Sequence, residues 1–227
     1  MSTTHHIGDP HIHLEEAEST NDLARELVRD GATHGTTVSA DRQTAAKGRQ
    51  GRGWAGSVPG QIAVSVVVRD GVDRLLPLRA GLAVAQLAGP NARVKWPNDV
   101  LIDGRKVAGI LVELEGDAAI VGIGVNAAID VTELPDEVQT RAGSLGLPLE
   151  ELGDTRRELL DLLADTLDLA PAEVVAALAT RDALVGKTIR WGSDEGVAEG
   201  IAEDGSLIVR AEDGEQVLLD GGEVHLL

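Results

Sequence analysis

Residues 92–126 read ARVKWPNDVLIDGRKVAGILVELEGDAAIVGIGVN, and this stretch decides the fold. It contains four short runs rich in Val, Ile and Leu: Ala92–Lys95, Val100–Asp103, Val107–Leu114 and Ala118–Val125. That composition and length predict strands. Asp103-Gly104 separates two of them and is a hairpin signal, because these residue types accept the positive φ of a tight turn. A sheet therefore stands at the middle of the chain.

On the N-terminal side, Ser19 and Asp22 stand at capping-box spacing ahead of a helical stripe of Leu23, Leu27 and Val28, with Gly31 as the stop. Thr36–Ala40 and Gln61–Val68 read as strands, the second fully buried. Between them lies a long polar, glycine-rich loop over residues 41–60. Leu75, Leu78, Leu82 and Leu87 mark a second helix ending near Gly89-Pro90. On the C-terminal side a Pro- and Gly-containing connection covers residues 130–148. A third helix follows, with Leu152, Leu159, Leu160, Leu163 and Leu167 on one side, and a fourth over Pro171–Leu184. From Val185 onward, closely spaced turns predict hairpins closing a small β-barrel. The expected class is α+β, a central mixed β-sheet with flanking helices plus a C-terminal barrel. The expected division is a flexible N-terminal tail over residues 1–13, a main α+β domain over 14–184 and the barrel over 185–227.

Composition narrows the function. The 227 residues hold no cysteine, which excludes disulfides, thiolate metal sites and a cysteine nucleophile. Apolar runs fall far short of the roughly 20 residues that span a bilayer, and no apolar signal core opens the chain, so a cytoplasmic protein is expected. Lys+Arg 20 against Asp+Glu 38 gives a net charge of −18, spread along the chain. Such a surface repels nucleic acid and matches proteins of high-salt cytoplasm, so a halophilic origin is expected. Only four lysines remain, Lys47, Lys95, Lys106 and Lys187, and three of them fall between residues 47 and 106.

That concentration directs attention to the loop from Gln43 to Trp54. Gly48, Gly51 and Gly53 let backbone approach a ligand, and Lys47, Arg49 and Arg52 supply cations. Phosphate or another anion is the natural partner, with Trp54 as a stacking face for a purine. A solvated flexible loop or an RNA-binding patch stays open on these residues alone. In Lys95-Trp96-Pro97-Asn98-Asp99, a strand turns at Pro97 and presents an amide and a carboxylate, with Lys106 on the returning hairpin. A carboxylate opposite a lysine suits Mg²⁺ with phosphate; turn-forming Asn and Asp beside a solvent-facing Lys is the plainer alternative. Gly122-Ile-Gly124-Val-Asn126-Ala127 superficially fits a dinucleotide fingerprint, but no amphipathic helix follows it. Gly186-Lys187-Thr188 resembles the end of a phosphate loop, yet Arg181 stands where the leading glycine belongs, so this segment is expected to open the first barrel strand. His5, His6, His11 and His13 are assigned to a mobile tail.

Ser-Thr-Asn at 19–21, the Gln43–Trp54 loop, Lys95–Asp99, Lys106–Glu113 and Gly122–Asn126 occur in the order and spacing of biotin protein ligases. The chain resembles that family from about Leu14 onward, and its closing strands around Gly222-Glu223-Val224 resemble the family's SH3-like terminal domain. The resemblance implies a class II synthetase-like, biotin–lipoate ligase fold. It also implies activation of biotin by ATP, with Mg²⁺, and transfer to a lysine of a biotin carboxyl carrier protein or carrier domain of an acyl-CoA carboxylase. By position, Ser19, Thr20, Asn21 and Gln43 would bind biotin, with Gly48 and Gly109 lining its pocket. Lys47 and Arg49 would hold its carboxylate and the α-phosphate, and Arg52 would order the loop. Trp54 would cover the adenine, Asn98 and Asn126 would contact the nucleotide, and Asp99 would be linked to the metal. Lys106, with Arg49, would act in catalysis by polarising the acyl carbonyl and neutralising phosphate charge.

The family loop usually reads Gly-Arg-Gly-Arg-x-Gly-Arg. Here Ala46 and Lys47 replace a glycine and a bidentate guanidinium, which bears on how tightly the adenylate is retained. The family also includes biotin-responsive repressors with an N-terminal helix-turn-helix. Fewer than twenty residues precede Ser19, and a short form without a DNA-binding domain, making no nucleic-acid or membrane contact, is expected. Homodimerisation is a family-level expectation. The enzyme rival is a lipoate or octanoate ligase or transferase, against which the Lys-Trp-Pro-Asn-Asp string and the terminal strands weigh. A catalytically idle biotin-binding module is the non-enzyme rival, against which Lys106 and Asp99 weigh.

Overall fold

The structure is a computed structural model that describes residues 7–54 and 58–227. His5 and His6 lie outside the described residues. Seven strands form the main sheet: β1 (His11–Ala17), β2 (Thr37–Gln43), β3 (Gln61–Val68), β4 (Arg93–Lys95), β5 (Asp99–Ile102), β6 (Arg105–Glu115) and β7 (Ala118–Asn126). Their order is β1-β2-β3-β7-β6-β5-β4. The β1–β2 pair is parallel and the other pairs are antiparallel, so the sheet is mixed as expected. The deciding stretch supplies β4 to β7, with Asp103 (φ 49) and Gly104 (φ 76) making the expected turn.

Helix α1 (Thr20–Arg29) covers one sheet face, burying Ala24 and Val28 against Val38, Val67 and Ile120. Helices α2 (Leu76–Leu87) and α4 (Leu152–Leu167) pack on the other, where Val64, Val66, Leu78, Leu82, Leu159 and Leu163 share the main core. Strand β3 is buried along its whole length, which explains its nearly unbroken apolar sequence. Short helix α3 (Asp136–Gln139) lies in the 130–148 connection. Helix α5 (Pro171–Ala179) ends five residues before the expected Leu184. The reason is local: Asp182 accepts from the Leu184 amide at 2.7 Å, and Arg181 turns inward onto the carbonyls of Ala85 and Gly89, both at 2.8 Å.

Strands β8 (Thr188–Trp191), β9 (Asp194–Ile201), β10 (Leu207–Ala211), β11 (Gln216–Leu219) and β12 (His225–Leu226) form an antiparallel sheet in the order β11-β10-β9-β8-β12, consistent with an SH3-like unit. Thr188 opens β8, so Gly186-Lys187-Thr188 leads into a strand.

His11–His13 do not belong to a flexible tail, because they begin β1 in register with Thr37–Ser39. Both imidazoles reach the Ser39 hydroxyl, at 2.8 and 2.9 Å. An edge strand with largely exposed side chains needs little apolar sequence, and so gives little periodic signal.

Candidate active site

The site begins at the N-terminus of α1. Ser19 caps the helix by accepting from the Asp22 amide at 3.4 Å, which sets Thr20 and Asn21 in the first turn, buried against the sheet. The Thr20 amide and hydroxyl donate to Gln43 Oε1 at 2.8 and 3.1 Å. Ser65 Oγ lies 2.8 Å from Thr20 Oγ1 and 2.6 Å from Asn21 Oδ1. Two hydroxyl hydrogens serve three contacts here, so the cluster can redistribute them when a ligand offers another donor or acceptor. Asn21 Nδ2 donates to Glu113 Oε2 at 2.7 Å, and Arg25 donates to Glu113 Oε1 at 2.6 Å. Under Asn21 the sheet must be bare: a Cβ on Gly122 would fall 2.1 Å from Asn21 Oδ1.

The neighbouring floor is Gly109 on β6, paired with Gly124 on β7. The Trp54 indole lies on both, 2.8 Å from where a Gly109 Cβ would stand and 3.1 Å from a Gly124 Cβ. Lys106 Nζ is 5.2 Å from the centroid of that ring and 2.6 Å from Asp99 Oδ1. The Lys106 backbone is fixed too, its N–H donating to Arg141 O at 2.7 Å and its carbonyl accepting from Gly143 N at 2.8 Å. Asn126 braces the same place, donating to Gly143 O at 3.0 Å and accepting from Gln61 Nε2 at 3.0 Å.

The cationic loop folds on itself through Gly48 N to Arg52 O (2.7 Å) and Trp54 N to Ala46 O (3.0 Å). Gln50 (φ 57) and Gly51 (φ 72) make its turn. Lys47 Nζ reaches Asp22 at 2.6 Å. Arg49 spans to Asn98 Oδ1 at 3.0 Å and to Gly222 O at 3.1 Å, and Arg52 pairs with Glu223. Asn98 donates its amide to Ile110 O at 2.8 Å, which aims its oxygen at Arg49. Lys95 Nζ donates to Val224 O at 3.0 Å; burial pushes its pKa below the usual lysine range, against the pull of Asp99 and with the push of Lys106. Trp96, joined to Pro97 by a cis bond, donates from Nε1 to Gly205 O at 2.9 Å.

The arrangement therefore has two poles. One is a buried hydrogen-bonding nest of Thr20, Asn21, Gln43 and Ser65. The other is a cationic end of Lys106, Arg49 and Arg52 beside an aromatic ring, able to bind a polyanion and a flat heterocycle. Among the described residues no group of three or more His, Asp or Glu is arranged to hold a metal ion. The single carboxylate of Asp99 fits a Mg²⁺ ion shared with substrate phosphates, which is how that ion is usually held.

The chain's own hydrogen bonds refine several expected residues. Asn21 and Asn126 engage both ends of their amides inside the protein, and Gly109 carries the indole on its bare backbone. Sequence reading missed Ser65 as a member of the nest, Glu113 as the partner that holds its Asn21, and the 222–224 segment as an anchor for the cationic loop. Ser65 had a signal, as the one polar side chain inside the run IAVSVVV at 62–68.

Residues 14–130 match the Biotin/lipoate A/B protein ligase family, and residues 189–227 match the Biotin protein ligase C terminal domain. A biotin--[acetyl-CoA-carboxylase] ligase of Paracoccus denitrificans is 36% identical over 246 residues, covering 90% of this chain and 96% of the relative. A bifunctional ligase/repressor of Bacillus spizizenii is 36% identical over 152 residues, 61% of this chain; the match spans about half of that longer relative, 47%. Among solved structures, a biotin protein ligase from Aquifex aeolicus in complex with biotin and ATP superposes with a TM-score of 0.81 at 29% identity, covering 96% of this chain and 98% of its own. No described helix is long and apolar enough to cross a membrane.

Proposed function

The chain belongs to the biotin/lipoate A/B protein ligase family, and from that premise we propose that it activates biotin with ATP and transfers it to a lysine of a biotin carboxyl carrier protein. The observation that carries this reading is the adjacency of the two poles. A ligand binding both would have its ring in the Thr20–Gln43 nest and its carboxylate beside Lys106 and Arg49, where a nucleotide phosphate also fits.

In the first step a biotin carboxylate oxygen attacks the α-phosphorus of ATP, and the bond to the bridging oxygen breaks with loss of pyrophosphate. In the second, the neutral amine of the carrier lysine attacks the acyl carbon, a proton leaves the nitrogen, and AMP departs. Neither step needs a covalent enzyme intermediate, which suits a chain without cysteine. The chain's contribution is positioning and charge stabilisation. Thr20 and Gln43 orient the ring, with Ser19, Asn21 and Gly48 shaping its pocket. Lys47, Arg49 and Lys106 hold the carboxylate and α-phosphate. Arg52 keeps the loop folded, and Trp54 offers its indole to the adenine. Asn98 orients Arg49, and Asn126 holds the Lys106 backbone. Asp99 would hold Mg²⁺, which when bound neutralises phosphate charge. Residues 14–184 constitute the catalytic unit and 185–227 the terminal unit that anchors the loop. The net charge of −18 supports a protein that works in a salt-rich cytoplasm, away from nucleic acid, and pairing of two copies is open to a sedimentation test.

Incubation with ATP, Mg²⁺, biotin and a carrier domain in high salt, read by intact mass of the carrier, tests the reading. One added biotin, abolished by Lys106→Ala, is the expected result. Modification of a lipoyl domain by lipoate or octanoate, with none by biotin, would assign the chain to the other branch of the family.

A further inference from the structure

A chain of charged contacts runs from the site's floor strand to its loop. Glu113 lies on β6, seven residues beyond Lys106, and holds Arg25 at 2.6 Å through one oxygen and Asn21 at 2.7 Å through the other. Arg25 in turn lies 2.5 Å from Asp22 Oδ1, and the same oxygen accepts Lys47 Nζ at 2.6 Å. From these contacts we infer that Glu113, Arg25 and Asp22 are positioning residues, a relay through α1 that sets the resting place of Lys47 and with it the cationic loop.

Three observations favour a relay over a scatter of surface pairs. The first is that Asp22 Oδ1 carries two cations at once, so moving either changes the field on the other. Burial raises the Asp22 pKa, but hydrogen bonds from Lys47 and Arg25 outweigh that and hold the carboxyl below its ordinary range. The second is that Glu113 divides its oxygens between Arg25 and Asn21, so the group that steadies the ring pocket also steadies the relay. Gly122 closes the space under Asn21, which leaves that amide no room to follow a displaced partner. The third is that the residue at the end is a lysine. An ammonium on a flexible stem can leave one carboxylate for another anion, whereas a guanidinium fork gripping Asp22 would be slower to exchange.

The consequence rests on the ligase reading: the biotin carboxylate or the α-phosphate competes with Asp22 for Lys47, and binding draws the ammonium from the one to the other. The relay thereby fixes how readily the loop closes and how long it retains the adenylate.

The test has two readouts on the full chain. Without ligands, limited trypsin digestion reports the loop through cleavage after Arg49 and Arg52. Asp22→Asn is expected to speed that cleavage roughly two- to fivefold, the range open to a partly exposed ion pair, with other sites unaffected. Lys47→Met is expected to do the same, and the double variant to add little. Asp22→Glu, which keeps the charge, restores slow cleavage. With ATP and biotin, AMP released per carrier biotinylated should rise in Asp22→Asn and Glu113→Gln. Additive effects of Asp22→Asn and Lys47→Met, or acceleration spread over all cleavage sites with a matching fall in Tm, would overturn the relay. Digestion needs no turnover, so if no biotinyl adenylate forms the ligase reading fails while the relay is still judged on its own.

Discussion

At the scale of single residues, the site is organised by what is missing from three glycines. Gly122 leaves room for Asn21, and Gly109 and Gly124 leave room for Trp54, so a methyl at each should fail differently. In Gly122→Ala the methyl meets an amide clamped by Ser65 and Glu113, which cannot retreat. Overpacking of this kind costs about 1–3 kcal/mol, and the displaced Asn21 should weaken biotin binding more than tenfold, about 1.4 kcal/mol or more. In Gly124→Ala the methyl meets a loop-borne indole that can lift by a few tenths of an ångström. Tm should then hold nearly constant while the KM for ATP rises and biotin affinity does not. Calorimetric titration with biotin and initial rates against ATP separate the two. Equal losses of both ligands in both variants would mean that the poles are not distinct.

At the scale of elements, the apolar strands and leucine-striped helices were legible because burial forces their pattern, as in β3, β6, β7 and α4. Asp99 opposite Lys106 was legible because one hairpin joins them, whereas Glu113 meets Asn21 and Arg25 of α1 only through the packing of helix on sheet, which no spacing reveals. Strand β1 escaped because its cohesion is polar. Ser39 links His11 to His13, Asp41 lies 3.3 Å from His13 Nε2, and Arg156 of α4 stands 3.8 Å from Asp41. Burial first, then the charges of Arg156 and His13, lower the His11 pKa below the ordinary 6.5. The unfolded chain therefore takes up the proton at higher pH than the folded one. Stability contributed by neutral His11 is present above 6.5 and is lost as pH falls from there through the folded value. Thermal melts between about pH 7.5 and about pH 5 should show this loss, and His11→Gln should flatten the slope. An unchanged slope would remove His11 from the account.

At the scale of the whole molecule, a chain of net charge −18 gathers Lys47, Lys95 and Lys106, with Arg49 and Arg52, at one place, and the C-terminal sheet helps to keep them there. Gly222 and Glu223 hold the two arginines, Val224 O takes Lys95, and Gly205 O takes the indole of Trp96. The last contact is the most secluded, since Trp96 is only 3% exposed. Trp96→Phe keeps an aromatic ring in the core but leaves the Gly205 carbonyl without its donor. An orphaned buried acceptor costs about 1–3 kcal/mol, and a small void adds to it. If the terminal sheet only packs against the catalytic unit, Tm falls and the kinetics at a permissive temperature stay unchanged. If it positions the Lys95–Asp99 turn, the KM for ATP also rises severalfold while biotin binding, proposed at the other pole on α1 and β2, keeps its affinity. The second pattern is expected, because Trp96 is two residues from Asn98, whose oxygen orients Arg49. Differential scanning calorimetry beside rates at varied ATP, at a temperature where both proteins are fully folded, decides between them.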